Sequence, residues 1–195
     1  TIISKFHHNR ISLYSKNLDF NNLIDIGTHR GEFIESFLKI KKIKRFYCFE
    51  PQKKIYDNLN KKFKRFNKIK LYNYALGDIC SNRKIKINNL TSTSTLSKFN
   101  HNSKYLKFKN FLTGNDLRNQ KSYIIKQKTI DRLFEKVSLK KTFIKIDVEG
   151  YEYKVLVGAQ KKINQLTYIL VENQFFNQYK NYGIIKKFLL KNNFE

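Results

Sequence analysis

Asn22-Leu23-Ile24-Asp25-Ile26-Gly27-Thr28-His29-Arg30-Gly31, with Phe33, Ile34, Phe37 and Leu38 after it, is the stretch on which the fold turns. The short apolar run to Ile26 reads as a buried strand. Gly27 and Gly31 bound a turn, and the apolar residues beyond it fall at helical spacing. Together they make one strand–turn–helix unit.

The unit repeats on either side of a polar middle. Arg45 to Phe49 is a second apolar strand, ended by Glu50-Pro51. Proline lacks an amide hydrogen and suits the first position of a helix, and Ile55, Leu59 and Phe63 then mark a helical face. Ile69 to Ala75 reads as a third strand, closed by Leu76-Gly77-Asp78. Later, Thr142 to Val148 and Thr167 to Val171 read as strands. Val155, Leu156, Ala159 and Ile163 mark a helix between them, and Ile184, Ile185, Phe188 and Leu189 mark a last one. Strands separated by helices predict a mostly parallel central sheet with helices on both faces and right-handed crossovers. The chain stops at Asn192-Asn193-Phe194-Glu195, where a next strand would begin, so the C-terminal sheet edge is expected to be truncated.

Residues 84–128 interrupt the rhythm and read as an insertion between the third and fourth core strands. Lys84-Ile85-Lys86-Ile87 alternates as an edge strand does, and Ser122 to Lys128 is its expected partner. Thr129 is a candidate cap for a short helix carrying Ile130, Leu133 and Phe134. The hydroxyls at 91–95 and the scattered aromatics up to Phe111 suit a lid that recognises carbohydrate. Long loops in compact domains are often functional.

With 195 residues and 41% hydrophobic content, the chain is expected to be one domain, 1–195, with an N-terminal arm over 1–20. His7-His8 is expected to be an exposed polar pair on that arm. Cys48 lies in an apolar strand and reads as a small core residue; two cysteines without a CxxC suggest neither zinc nor a disulfide framework. No apolar run is long enough to span a membrane. The start at Thr1 shows no signal-peptide pattern, which predicts a cytoplasmic protein whose chain begins inside a longer product. The net charge of +25 would attract polyanions. Its lysines are scattered, however, and Lys, Asn, Ile and Phe are all favoured by AT-rich codons, so biased composition explains the charge without a nucleic-acid partner.

In open parallel sheets, ligands bind beyond the carboxyl ends of the strands. Asp25, Glu50, Asp78, Asp147, Glu149 and Glu172 all stand there, out of 15 acidic residues in the chain. An acid before the first glycine repels phosphate but suits a cationic or amino-bearing ligand. The dinucleotide pattern GxGxxG is absent. S-adenosylmethionine carries a sulfonium and an α-amino group, and its carboxylate can take backbone amides around Gly27, Thr28 and Gly31. Glu50 has the spacing of a residue that accepts from both ribose hydroxyls.

These residues resemble a known family. Leu23 to Gly31 and Tyr47-Cys48-Phe49-Glu50-Pro51 look like the first two cofactor motifs of class I methyltransferases. Tyr74-Ala75-Leu76-Gly77-Asp78 looks like the segment near the adenine. Phe143-Ile144-Lys145-Ile146-Asp147-Val148-Glu149-Gly150-Tyr151-Glu152 is similar to the FkbM signature, as are Thr91–Thr95, Gln127–Leu133 and Val157-Gly158-Ala159. The resemblance spans roughly residues 22–175. It implies a Rossmann-like fold, S-adenosyl-L-methionine as cofactor, and O-methylation of a hydroxyl on a glycan or small-molecule natural product. Asp25, Gly27, Thr28, Gly31, Glu50, Ala75, Asp78 and Asp147 are then the cofactor-binding residues. Thr28-His29-Arg30 departs from the small residues and Asn usual in the family.

Methyl transfer from a sulfonium is a displacement in which the protein supplies alignment and electrostatics. A hydroxyl acceptor must lose a proton. Asp147 is the leading base or orienting group, with Glu149 and His29 as alternatives. Lys145 faces the same side of its strand as Asp147 and reads as an ion-pair partner. No metal ligands are assigned, although Asp147 with Glu149 could take Mg²⁺. Two other readings are a nucleic-acid-binding methyltransferase and a non-catalytic Rossmann-like binding module. Nothing in the sequence indicates the oligomeric state.

Overall fold

A computed structural model describes residues 2–87, 121–172 and 182–195. Helix α1 (Ile2–Ser15) precedes β1 (Asn22–Ile26), α2 (Glu32–Leu38), β2 (Arg45–Phe49), α3 (Lys53–Phe63) and β3 (Ile69–Tyr72). Then come β4 (Ala75–Leu76), β5 (Ser81–Ile87), β6 (Lys121–Lys128), α4 (Ile130–Leu133) and β7 (Thr142–Ile146). The chain continues through α5 (Glu152–Val157), a 3₁₀ turn at Ile163–Gln165, β8 (Tyr168–Val171) and α6 (Tyr182–Lys191).

Five strands form the main sheet in the order β3-β2-β1-β7-β8, all parallel. The order reverses at β1, whose neighbours are β2 and β7. A crevice therefore opens at the carboxyl ends of β1 and β7. This is the doubly covered parallel architecture that the strand–helix rhythm predicts. Because successive strand residues face opposite sides, each strand feeds two cores. Leu23, Phe46, Cys48 and Phe143 pack with Phe33, Ile34 and Phe37 of α2 and with Leu59 and Phe63 of α3. Ile24, Ile26, Tyr47, Phe49, Ile144 and Ile146 pack on the other face with Ile130, Val155, Leu156 and Ile185.

Several boundaries move. The third strand ends at Tyr72, and Ala75–Leu76 pairs instead with β6, in a second sheet of order β4-β6-β5. The expected partnership of 84–88 with 122–128 is present as an antiparallel ladder from Ser81↔Gln127 to Ile87↔Lys121. The remainder of the insertion, including the Ser/Thr stretch at 91–95, lies outside the described residues. Pro51 is not the first helical residue. Helix α3 starts at Lys53 behind Gln52, because the Glu50 carboxylate first turns the chain by accepting from the Gln52 amide.

The N-terminal segment is a helix rather than an arm, and α1 packs on α2. His7 is exposed as expected, but His8 is not. Its ring stands edge-on to Phe33 at 5.5 Å between centroids. Ile11 joins the same apolar cluster. Ser12 and Ser15 are buried and satisfy their hydroxyls on the Asn9 and Ile11 carbonyls. Among the described residues, no helix is long and apolar enough to cross a membrane.

Candidate active site

The site grows from a register. Asp25 of β1 lies beside Lys145 of β7, and both side chains point to the face covered by α2. Lys145 Nζ donates to Asp25 Oδ1 at 3.4 Å and sits 3.0 Å from Asp147 Oδ2. It also lies over the Phe33 ring, 5.4 Å from its centre. Burial works against the ammonium, but the two carboxylates outweigh it and Lys145 stays protonated beyond the usual lysine range. Asp25 is fully buried. Burial raises its pKa against the pull of Lys145, and its Oδ2 has no hydrogen-bond partner.

Asp147 is the open end of this chain of charges, with a side chain 31% exposed where Lys145 is 8% exposed. Desolvation pushes its pKa up, yet Lys145 and a hydrogen bond from Glu172 leave it below the ordinary carboxylate range. Glu172 moves the other way, raised by desolvation and by the Asp147 charge, so it holds the proton of the pair.

Backbone turns bring the strand ends close together. Asp147 N donates to Ile26 O at 3.1 Å. Gly27 has φ +83°, and a Cβ built there would stand 1.9 Å from Asp147 O. Only glycine admits both the left-handed conformation and that approach. Gly31, at φ +82°, leaves room for the Phe63 ring, so this glycine serves helix packing. Thr28 Oγ1 donates to Asp25 O at 3.0 Å and closes the turn. His29 has φ 49°. Its imidazole pKa is lowered by burial, against Glu32, whose carboxylate is 3.9 Å away.

Glu50 ends β2 inside the same crevice. Oε2 accepts from His29 N at 3.0 Å and Oε1 from Gln52 N at 2.8 Å. Burial outweighs both bonds and pushes this carboxyl up to about 7. Each carboxylate oxygen can accept more than one hydrogen bond, so two amides do not exhaust it. Asn73 braces the strand end, donating to Glu50 O and Pro51 O at 2.9 and 3.0 Å.

The remaining predicted residues stand on other elements. Ala75 is buried with Ile85 and Ile125 of the small sheet. Asp78 pairs with Lys154 at 2.7 Å and accepts from Tyr151 Oη at 3.5 Å. Desolvation opposes ionisation of Asp78, but Lys154 wins and its pKa falls. Glu149 has φ 52° and precedes Gly150 at φ 92°, a tight left-handed turn after Asp147.

Two residues at the site escaped the sequence reading. Glu152 is 3% exposed, and its Oε1 accepts from Val148 N at 3.2 Å and Gly150 N at 3.0 Å. It therefore ties down the Asp147–Gly150 turn. An acid near the start of a helix followed by apolar residues was the available signal. His8 is the other, and it sits within the field of Lys145, Asp147 and Glu32. No local pattern marks it, because its burial depends on α1 packing against α2.

Compared with known protein families, residues 25–195 match the one described as Methyltransferase FkbM domain. Comparison with curated proteins gives no match.

Proposed function

Since the chain belongs to the FkbM methyltransferase family, we propose that it uses S-adenosylmethionine to methylate a hydroxyl on a glycan or small-molecule natural product. The observation that carries this reading is the convergence of Gly27, Glu50 and Asp147 on the crevice where strand order reverses, with Asp25 buried beneath them and joined to Asp147 through Lys145 rather than open to a ligand.

The residues fit such a cofactor in chemistry. Asp147 offers an ionised, partly open carboxylate to an ammonium or sulfonium group. The Gly27–Gly31 turn, with Thr28 fixing its shape, lets the backbone approach a ligand closely, but the expected amide contacts to its carboxylate do not hold: the Gly27 and Thr28 amides donate to Phe49 O, His29 N to Glu50 and Gly31 N to Thr28 O. Glu50 would take the ribose hydroxyls, and those donors would favour its ionised form. Ala75 and Asp78 would border the adenine end. When bound, the cofactor supplies an activated methyl group.

The chain supplies alignment and a place for the acceptor proton. Asp147, held below the ordinary carboxylate range by Lys145, suits orienting a ligand better than removing its proton. Glu149, on the adjoining turn, is the better candidate to receive the hydroxyl proton. His29, its imidazole neutralised by burial, is the alternative.

Calorimetric titration with S-adenosylmethionine and S-adenosylhomocysteine, beside NAD, tests this reading. The two sulfur compounds should bind and NAD should not. Glu50→Ala should lose the binding while retaining a cooperative melt. Absence of binding to either sulfur compound would sink the cofactor assignment. Screening glycans and polyols with labelled methyl donor then seeks the acceptor.

A further inference from the structure

His8 belongs to a helix that precedes the matched family domain, which begins at residue 25. Its Nδ1 is enclosed and has no hydrogen-bond partner, while the ring as a whole is only half-buried. Its ring stands 5.5 Å from the Phe33 ring centre, the same ring that Lys145 Nζ overlies at 5.4 Å, and Lys145 is in turn 3.0 Å from Asp147 Oδ2; the charges of Asp147 and Glu32 and the neighbouring His7 also act on it. Burial, then the Lys145 ammonium, lowers its pKa to about 4, so the imidazole is neutral at physiological pH. A neutral imidazole carries one N–H and one lone pair. Enclosed N–H groups without acceptors are rarer than enclosed acceptors without donors. A lone pair at Nδ1 also suits the field of a neighbouring ammonium, which puts the hydrogen on Nε2.

We propose that helix α1 is a wall of the cofactor site and that His8 Nε2–H binds the carboxylate of the ligand's amino-acid end. The inference rests on the S-adenosylmethionine reading and extends it to a residue outside the family domain. It makes the recognition two-sided. Asp147 takes the ammonium of the amino-acid end, and His8 takes its carboxylate. A neutral donor does this without adding positive charge beside a sulfonium.

The test compares S-adenosylhomocysteine with 5′-methylthioadenosine, the same nucleoside thioether lacking the amino-acid end. In His8→Phe, which keeps the contact with Phe33, affinity for S-adenosylhomocysteine should fall about 10- to 100-fold, the worth of a hydrogen bond to a charged group. Affinity for methylthioadenosine should stay within about twofold, since no hydrogen bond to it is lost. His8→Gln, whose amide nitrogen can take the place of Nε2–H, should recover most of the loss, and His8→Asn should not. Thermal melts of all three variants check that they fold. The proposal is overturned if His8→Phe folds and binds S-adenosylhomocysteine as the wild type does. It is equally overturned if both ligands weaken together or if Asn rescues as well as Gln. Wild-type protein that binds neither ligand would instead defeat the cofactor reading on which the proposal rests.

Discussion

Lys145 neutralises a carboxylate that cannot reach water, and that makes its removal costly. Asp25 is fully buried and touches Lys145, so Lys145→Met would leave an uncompensated charge in the core. The expected loss is about 3–5 kcal/mol of unfolding free energy, as for other broken buried pairs. Adding Asp25→Asn should return part of it, measurable by urea denaturation of the single and double variants. Gly27 makes a different demand. A left-handed alanine costs about 1–2 kcal/mol by itself, and here its Cβ would also drive into Asp147 O. Gly27→Ala should therefore lose at least that much and displace the Asp147 turn. Glu50 gives a prediction in pH. Its folded pKa of about 7 lies above the ordinary 4.5, so the folded protein holds its proton more tightly than the unfolded chain. Its contribution is favourable below pH 4.5 and is lost as pH rises through 7. In Glu50→Gln the fall in stability between those values should flatten, as followed by denaturation at a series of pH values. An unchanged slope would mean that Glu50 titrates normally.

Elements explain which parts of this site could be read in advance. The pairing of Lys145 with Asp147 followed from alternation along one strand, and the strand-end positions of Asp25, Glu50 and Asp147 followed from strand–helix order. Such features depend on residues near in sequence. The register that sets Asp25 beside Lys145 spans the whole insertion, and no local pattern specifies it. His8 failed for the same reason: two adjacent histidines look alike until α1 is laid on Phe33. Ala75–Leu76 reads as the end of β3, but its backbone pairs with β6 and the Ala75 side chain packs with Ile85 and Ile125 of the small sheet. Glu152 lies within a sequence motif that by itself gives no sign of its role, yet it holds the turn after β7 through two amides. Removing its carboxylate leaves those amides without their acceptor, a cost of about 1–3 kcal/mol for groups that stay buried. Glu152→Ala should speed hydrogen exchange at Val148 and Gly150 before it affects the β1–β2 core. Uniform acceleration across the sheet would show that Glu152 supports the domain generally instead of this turn.

At the scale of the molecule the dominant quantity is charge. Forty basic residues face 15 acids, a net +25, and folding gathers those like charges into a small volume. Self-repulsion destabilises the compact state, and salt shortens its range from about 30 Å at 0.01 M to about 8 Å at 0.15 M. The melting temperature should therefore rise across that interval. The buried Lys145 pairs should contribute little to the change, because screening reaches them poorly. The same charge separates the glycan reading from a nucleic-acid one. Scattered lysines still attract duplex DNA at low salt, and because that binding is driven by counterion release its affinity falls steeply between about 50 and 200 mM. Under the proposed cofactor reading, binding of S-adenosylhomocysteine would depend instead on enclosed groups and should change little over that range. If the acceptor were a nucleic acid, labelled methyl should pass to DNA or RNA at low salt, and transfer should fall with salt in step with binding. Polyanion binding at low salt without methyl transfer, together with transfer to a glycan hydroxyl that persists at 200 mM, would identify the charge as a property of the surface and not of the site.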